Sequence, residues 1–142
     1  MREILFRGKV IESTVKEAGE WVYGHLVVRK DHDDEPEQCF ICKEGHRFIR
    51  CLNKMPCTYK VDPETIGQYT GLTDQNGKRI FEGDIVRATY RGNYVRCAFE
   101  VIFRDCRFAL LKNGVLVEMH DGYGIEVIGN IHDNPELLGG ET

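Results

Sequence analysis

The sequence predicts a mainly β protein, a small barrel or sandwich with additional hairpins that ends in a short helical turn. Three observations lead there. Almost every readable segment alternates apolar and polar residues with period two, or is a short run rich in β-branched and aromatic residues. Asn-Gly pairs, which favour hairpin turns because both residues tolerate positive φ, occur twice between apolar runs. Fifteen glycines against four prolines mark many tight turns.

The elements follow in chain order. ILFRGKVIE (4–12) and EWVYGHLVV (20–28) read as two strands joined through the polar STVKEAG. The acidic DHDDEPE (31–37) is the best place for the chain to pass between subregions. QCFIC and RFIRCL read as strands turned by Lys43-Glu44-Gly45. DQNGK (74–78) is a hairpin turn, and Asn113-Gly114 repeats the signal between two clear strands. IVRATY, VRCAFEVIF, RFALL, VLVEM and IEVIGNI complete the strand set. Many short strands with close turns argue for a barrel or sandwich. DNPELL offers Asp133 or Asn134 as N-cap before Pro135, a proline suited to a first helical position, so one terminal turn of helix is expected.

At 142 residues, 42% hydrophobic and 30% charged, the chain is sized and composed for one globular domain. Its apolar runs are too short for a bilayer-spanning helix. MREILFRGKV carries charge on both sides of its apolar residues and does not read as a signal peptide. A cytoplasmic location in a bacterial host, with six reduced cysteines, is the expectation. The net charge of −4 is unevenly spread: between Lys78 and Lys112 eight basic residues face four acidic ones.

VDPETIGQYTGLTDQNGKRIFEGDIV (61–86) resembles the signature of the YopX family of phage and prophage proteins. MREILFRGKV, GEWVYGHLV (19–27) and EVIGNIHDNPELL (126–138) resemble that family's start, second segment and end, so the likeness spans nearly the whole chain. The resemblance implies an SH3-like barrel encoded by a phage or integrated prophage, and implies no assigned activity. The domain expected is a single YopX-like one over 1–142, with an N-terminal β subregion over 1–60 and a barrel core over 61–138. Physically the signature is mostly turn chemistry. Gly67, Gly71 and Gly83 suit backbone that a Cβ would penalise, Asp62-Pro63-Glu64 favours a turn, and Asp84 is placed to cap backbone amides.

Three stretches invite chemistry. CFICKEGHRFIRC (39–51) spaces Cys39, Cys42, His46 and Cys51 much like a zinc knuckle, but with three rather than four residues before the histidine and no glycine after Cys42. A thiol-bearing hairpin is preferred, in which Cys39 and Cys42 occupy opposite faces and no cysteine is in a disulfide. RATYRGNYVR (87–96) interleaves Arg87, Arg91 and Arg96 with Tyr90 and Tyr94, a pattern that can bind phosphates and stack on bases, or can simply close a hairpin. His120-Asp121, His132-Asp133 and DQNG fall short of metal-site spacing.

No metal, cofactor or catalytic constellation is expected, and an enzyme is not the preferred class. The function expected is a non-enzymatic phage accessory module for binding or assembly, with a protein partner or self-association. The alternative is weak, sequence-independent nucleic-acid binding through Arg87, Tyr90, Arg91, Tyr94 and Arg96, which replacing the three arginines would abolish.

Overall fold

Burial along the first two strands separates core side chains from exposed ones. In β1 (Phe6–Glu12) Val10 is buried while Ile11 and Glu12 are exposed, and in β2 (Trp21–Arg29) Val22 is buried between half-buried Trp21 and exposed Tyr23. The computed structural model describes residues 3–12, 16–43, 58–90, 93–119 and 123–139, of which 90, 93–97 and 123 are described as backbone only. The chain is mainly β and divides into two compact units, Met1–Gln68 and Tyr69–Thr142.

The first unit is a closed four-stranded antiparallel barrel. β1 pairs with β2, β2 with β3 (Gln38–Lys43), β3 with β4 (Thr58–Val61), and β4 returns to β1 through Val10↔Val61. Val10, Val22, Cys39, Ile41, Tyr59 and Val61 fill it, with Phe6, Leu26 and Ile66 packed alongside. So narrow a barrel brings backbones close together. A Cβ on Gly8 would lie 3.0 Å from Val61, so glycine is what lets β1 pass β4 there. After β4, Asp62 accepts a hydrogen bond from the Glu64 amide and opens a 3₁₀ turn at Pro63–Thr65, as the sequence leads one to expect. The Lys9 amide donates to Thr65 Oγ1 at 2.9 Å, which ties this turn to β1.

β5 (Gly67–Thr73) starts in the first unit, where Gly67 and Gln68 pair with β1, and continues into the second, where it pairs with β6 (Arg79–Phe81). The second unit then builds an open five-stranded antiparallel sheet, in the order β10 (Val115–Glu118), β9 (Arg107–Lys112), β8 (Asn93–Arg104), β7 (Asp84–Tyr90), β11 (Tyr123–Asn130). Its core joins Ile80, Val86, Ala88, Phe99, Val101, Leu110 and Ile125. The strand cycle that closes is the one formed by β1–β4. α1 (Glu136–Gly139) is the expected short terminal helix. The Asn134 side chain accepts from the Asn130 amide, so it holds the β11 end rather than capping the helix.

Gly71 and Gly83 adopt φ of 89° and 92°, in the left-handed region that favours glycine. Gly67 is instead a buried strand residue. No helix among the described residues is long and apolar enough to cross a membrane.

Candidate functional site

The strand register of the barrel brings basic and aromatic residues together. Arg7 lies opposite Tyr23 and Lys9 opposite Trp21, so two cations at i, i+2 on β1 face two aromatic residues at i, i+2 on β2. The Arg7 guanidinium carbon is 4.6 Å from the Trp21 ring centroid and Lys9 Nζ is 5.5 Å from it, both within cation–π range. Arg7 is buried while Tyr23 is 41% exposed, so Tyr23 offers a ring to a ligand and Arg7 stiffens the wall behind it.

At one end of the barrel the end of β1, the start of β2, the end of β3 and the start of β4 converge, because Lys43 pairs with Gly24 and Thr58 with Cys42. A recess of about 340 Å³ opens there, lined among the described residues by Lys16, Trp21, Val22, Tyr23, Lys43 and Tyr59. Lys16 Nζ is 5.8 Å from the Tyr59 ring. Its pair with Glu20, at 3.9 Å between partly exposed side chains, is worth well under about 1 kcal/mol and leaves the ammonium able to exchange partners. Three rings and two ammonium groups make a lining chemically suited to planar and anionic groups. Barrel mouths and small clefts of this size are common ligand positions.

The residues singled out in the sequence are placed differently. Arg87 is exposed in β7, opposite Ala98 on β8 and Glu126 on β11. Tyr90 pairs with Asn93 and Tyr94 with Thr89, and Arg96 falls where the β7–β8 register shifts between Arg87↔Ala98 and Ala88↔Val95. Their side chains, and Arg91 altogether, lie outside the described residues. β7 and β8 pair as far as Tyr90↔Asn93, and the expected turn residues Arg91 and Gly92 lie outside the described residues.

Cys39 and Cys42 are three apart in β3, which places them on opposite faces, and Cys39 packs in the barrel core. Burial raises the Cys39 thiol pKa, and the charge of Glu37 raises it further. Cys42 is disulfide-bonded, which corrects the expectation that every cysteine is reduced. Bridging depends on which sulfurs the fold brings together, and cysteine spacing alone does not reveal that. His46, Cys51, His120 and Asp121 lie outside the described residues. Among the described residues no cluster of three or more His, Cys, Asp or Glu side chains could hold a metal.

The comparison with known families settles where this chain belongs. A family model described as YopX protein matches residues 13–139. The chain belongs to the YopX family. Its fold is similar to the crystal structure of protein yopX from Bacillus subtilis, with a TM-score of 0.53 and 18% identity over 97% of this chain and 99% of that one. Protein EF1440 from Enterococcus faecalis is 25% identical over the same shares, with a TM-score of 0.43. No curated protein is significantly similar in sequence.

In this YopX-family chain the signature segment is structural in what it contacts. Asp74 accepts from the Asn76 and Lys78 amides and from the Val127 amide of β11. Asp84 is 1% exposed and accepts from the Phe81 amide at 2.8 Å, the capping role its position suggests. The barrel-mouth recess was missed in the sequence. WVYGH reads there as a strand and nothing more, and only the register reveals that Trp21 and Tyr23 meet Arg7 and Lys9. Lys43 and Tyr59 arrive from separate strands with no local signal at all.

Proposed function

We propose that this YopX-family chain is a phage- or prophage-encoded, non-enzymatic binding module that takes its ligand at the open end of the N-terminal barrel. The supporting observation is the recess formed by Trp21, Tyr23, Tyr59, Lys16 and Lys43. These side chains hold a ligand by ring contact and by charge, and Arg7 and Lys9 brace the Trp21 wall against collapse. The phage assignment rests on the ordered series of family motifs along the chain.

The test is parallel affinity capture from induced or infected cells, using the tagged chain and a Tyr23→Ala/Lys43→Glu variant. Both positions are exposed, so the variant is expected to fold, which circular dichroism checks. Material recovered with the parent chain should be lost with the variant. Equal recovery from both would move the binding surface elsewhere.

A further inference from the structure

Resting on that reading of the barrel mouth, we infer that the recess lined by Tyr23, Trp21, Tyr59, Lys16 and Lys43 binds single-stranded nucleic acid, one nucleotide per recess. Sequence-independent recognition of a single strand needs two things at once: ring faces on which a base can stack, and mobile cations that meet the phosphate. Both converge here. Tyr23 is exposed enough to stack, and Trp21 is half-buried and held by Arg7 and Lys9 at 4.6 and 5.5 Å. Lys16 and Lys43 reach the same recess from the loop after β1 and from the end of β3.

The size argues for one nucleotide. About 340 Å³ lies at the small end of ligand pockets, too small for a duplex and suited to one base with its sugar. Charge complementarity argues for an anion, since the described lining contains two lysines, of which Lys16 is weakly paired with Glu20 at 3.9 Å. An acidic peptide would use the lysines but would leave the ring faces idle. Phosphate contacts carry no base information and stacking tolerates every base, so little preference among bases is expected. On this inference the first unit makes the nucleic-acid contact, whereas the alternative that the sequence offered used the Arg87–Arg96 stretch.

Trp21 is the single tryptophan of the chain, so its fluorescence reports on this wall directly. The full chain is titrated with a short oligothymidylate while Trp21 emission and the anisotropy of a labelled strand are followed. A duplex of equal length, thymidine monophosphate and a short poly-glutamate peptide are the comparison probes. The expected result is quenching of Trp21 by the single strand, and weaker responses to the monophosphate and the duplex. Tyr23→Ala should weaken strand binding about 10-fold or more. Lys16→Ala/Lys43→Ala should lower the salt slope by about 1.4, which is about 0.7 for each lost phosphate contact. Arg87→Ala/Arg91→Ala/Arg96→Ala should bind as the parent chain does.

Strand binding that survives the recess variants and falls with the triple arginine variant would overturn the inference, as would equal binding of duplex and single strand. Quenching by poly-glutamate but not by the oligonucleotide would also overturn it, while leaving the barrel mouth standing as the binding site. Silence of Trp21 toward every probe would overturn it too. If capture were also unchanged in the Tyr23→Ala/Lys43→Glu variant, the proposed site would fall with it.

Discussion

The carboxylate of Asp74 is buried, and both of its oxygens accept backbone hydrogens: Oδ1 from Asn76 at 2.8 Å and Lys78 at 2.9 Å, and Oδ2 from Val127 at 3.0 Å. Burial alone would raise its pKa, but the three amides and the nearby Lys78 charge outweigh burial and hold the group below its ordinary value of 3.8. A depressed carboxylate contributes stability above its unfolded pKa and loses it as pH falls through the folded value. Asp74→Asn should therefore cost about 1–3 kcal/mol at neutral pH, because one amide oxygen cannot replace the three-way acceptor. The gap from the parent chain should narrow as pH drops below 3.8. Thermal melts across the acid range check both, and an equal Tm at neutral pH would contradict the assignment. Glu100 on β8 shows the opposite sign. Burial, and then the charge of Glu82, raise its pKa above 4.5. Its favourable contribution exists below the unfolded pKa and is lost as pH rises through the folded one, so at neutral pH the ionised group opposes folding. Glu100→Gln should raise Tm at neutral pH and give no advantage at about pH 4. A gain of the same size at both pH values would point to packing instead.

Turns show where local sequence suffices and where it does not. Asn113 and Gly114 adopt φ of 51° and 80° between Lys112↔Val115, the two-residue geometry that their identities announce. Asn76-Gly77 also marks a hairpin, yet only Gly77 takes positive φ, at 82°, and the Asp74 carbonyl accepts from the Gly77 amide. The turn starts earlier than the pair suggests because Asp74 is fixed by β11, a contact 53 positions along the chain. Between β8 and β9, Asp105 and Cys106 adopt φ of 55° and 63° with Arg104 paired to Arg107, a two-residue turn that contains neither glycine nor asparagine. The sequence breaks the strands here, between VRCAFEVIF and RFALL, and Asp105 tolerates left-handed backbone, but Cys106 gives no such signal and its conformation is imposed by the strands on either side. Cys106 is an exposed free thiol whose side chain bears the left-handed cost of about 1 kcal/mol. Cys106→Gly should remove that cost and give part of it back through a more flexible unfolded chain, for a net gain of several tenths of a kcal/mol. An unchanged or lowered Tm would show that the turn is not strained. The barrel-mouth site was illegible for a related reason. Its aromatic and basic pairs are local on β1 and β2, but they become a site only once register and barrel closure bring Lys43 and Tyr59 beside them.

At the scale of the molecule the strand pattern was legible, with subregions expected over 1–60 and 61–138; which inward faces share a core was not, because period-two alternation marks an inward face without saying which interior it faces. The barrel cluster around Val10, Ile41 and Val61 and the sheet cluster around Val86, Val101 and Leu110 share no residue. Each unit spans about 70 residues, a size at which one core can hold a fold with little margin. With a complete core in each, the two units should unfold with separate midpoints. Trp21 belongs to the barrel, and its emission should follow the first unit alone, while far-ultraviolet circular dichroism follows both. Leu110→Ala, at a position 0% exposed in the sheet core, should cost about 2–5 kcal/mol. It should shift part of the dichroism transition to lower denaturant and leave the Trp21 midpoint where it was. Ile41→Val, at a position 0% exposed in the barrel core, should cost about 0.5–1.5 kcal/mol and move the Trp21 midpoint. Coincident shifts of both probes in both variants would mean that the two cores melt as one cooperative body.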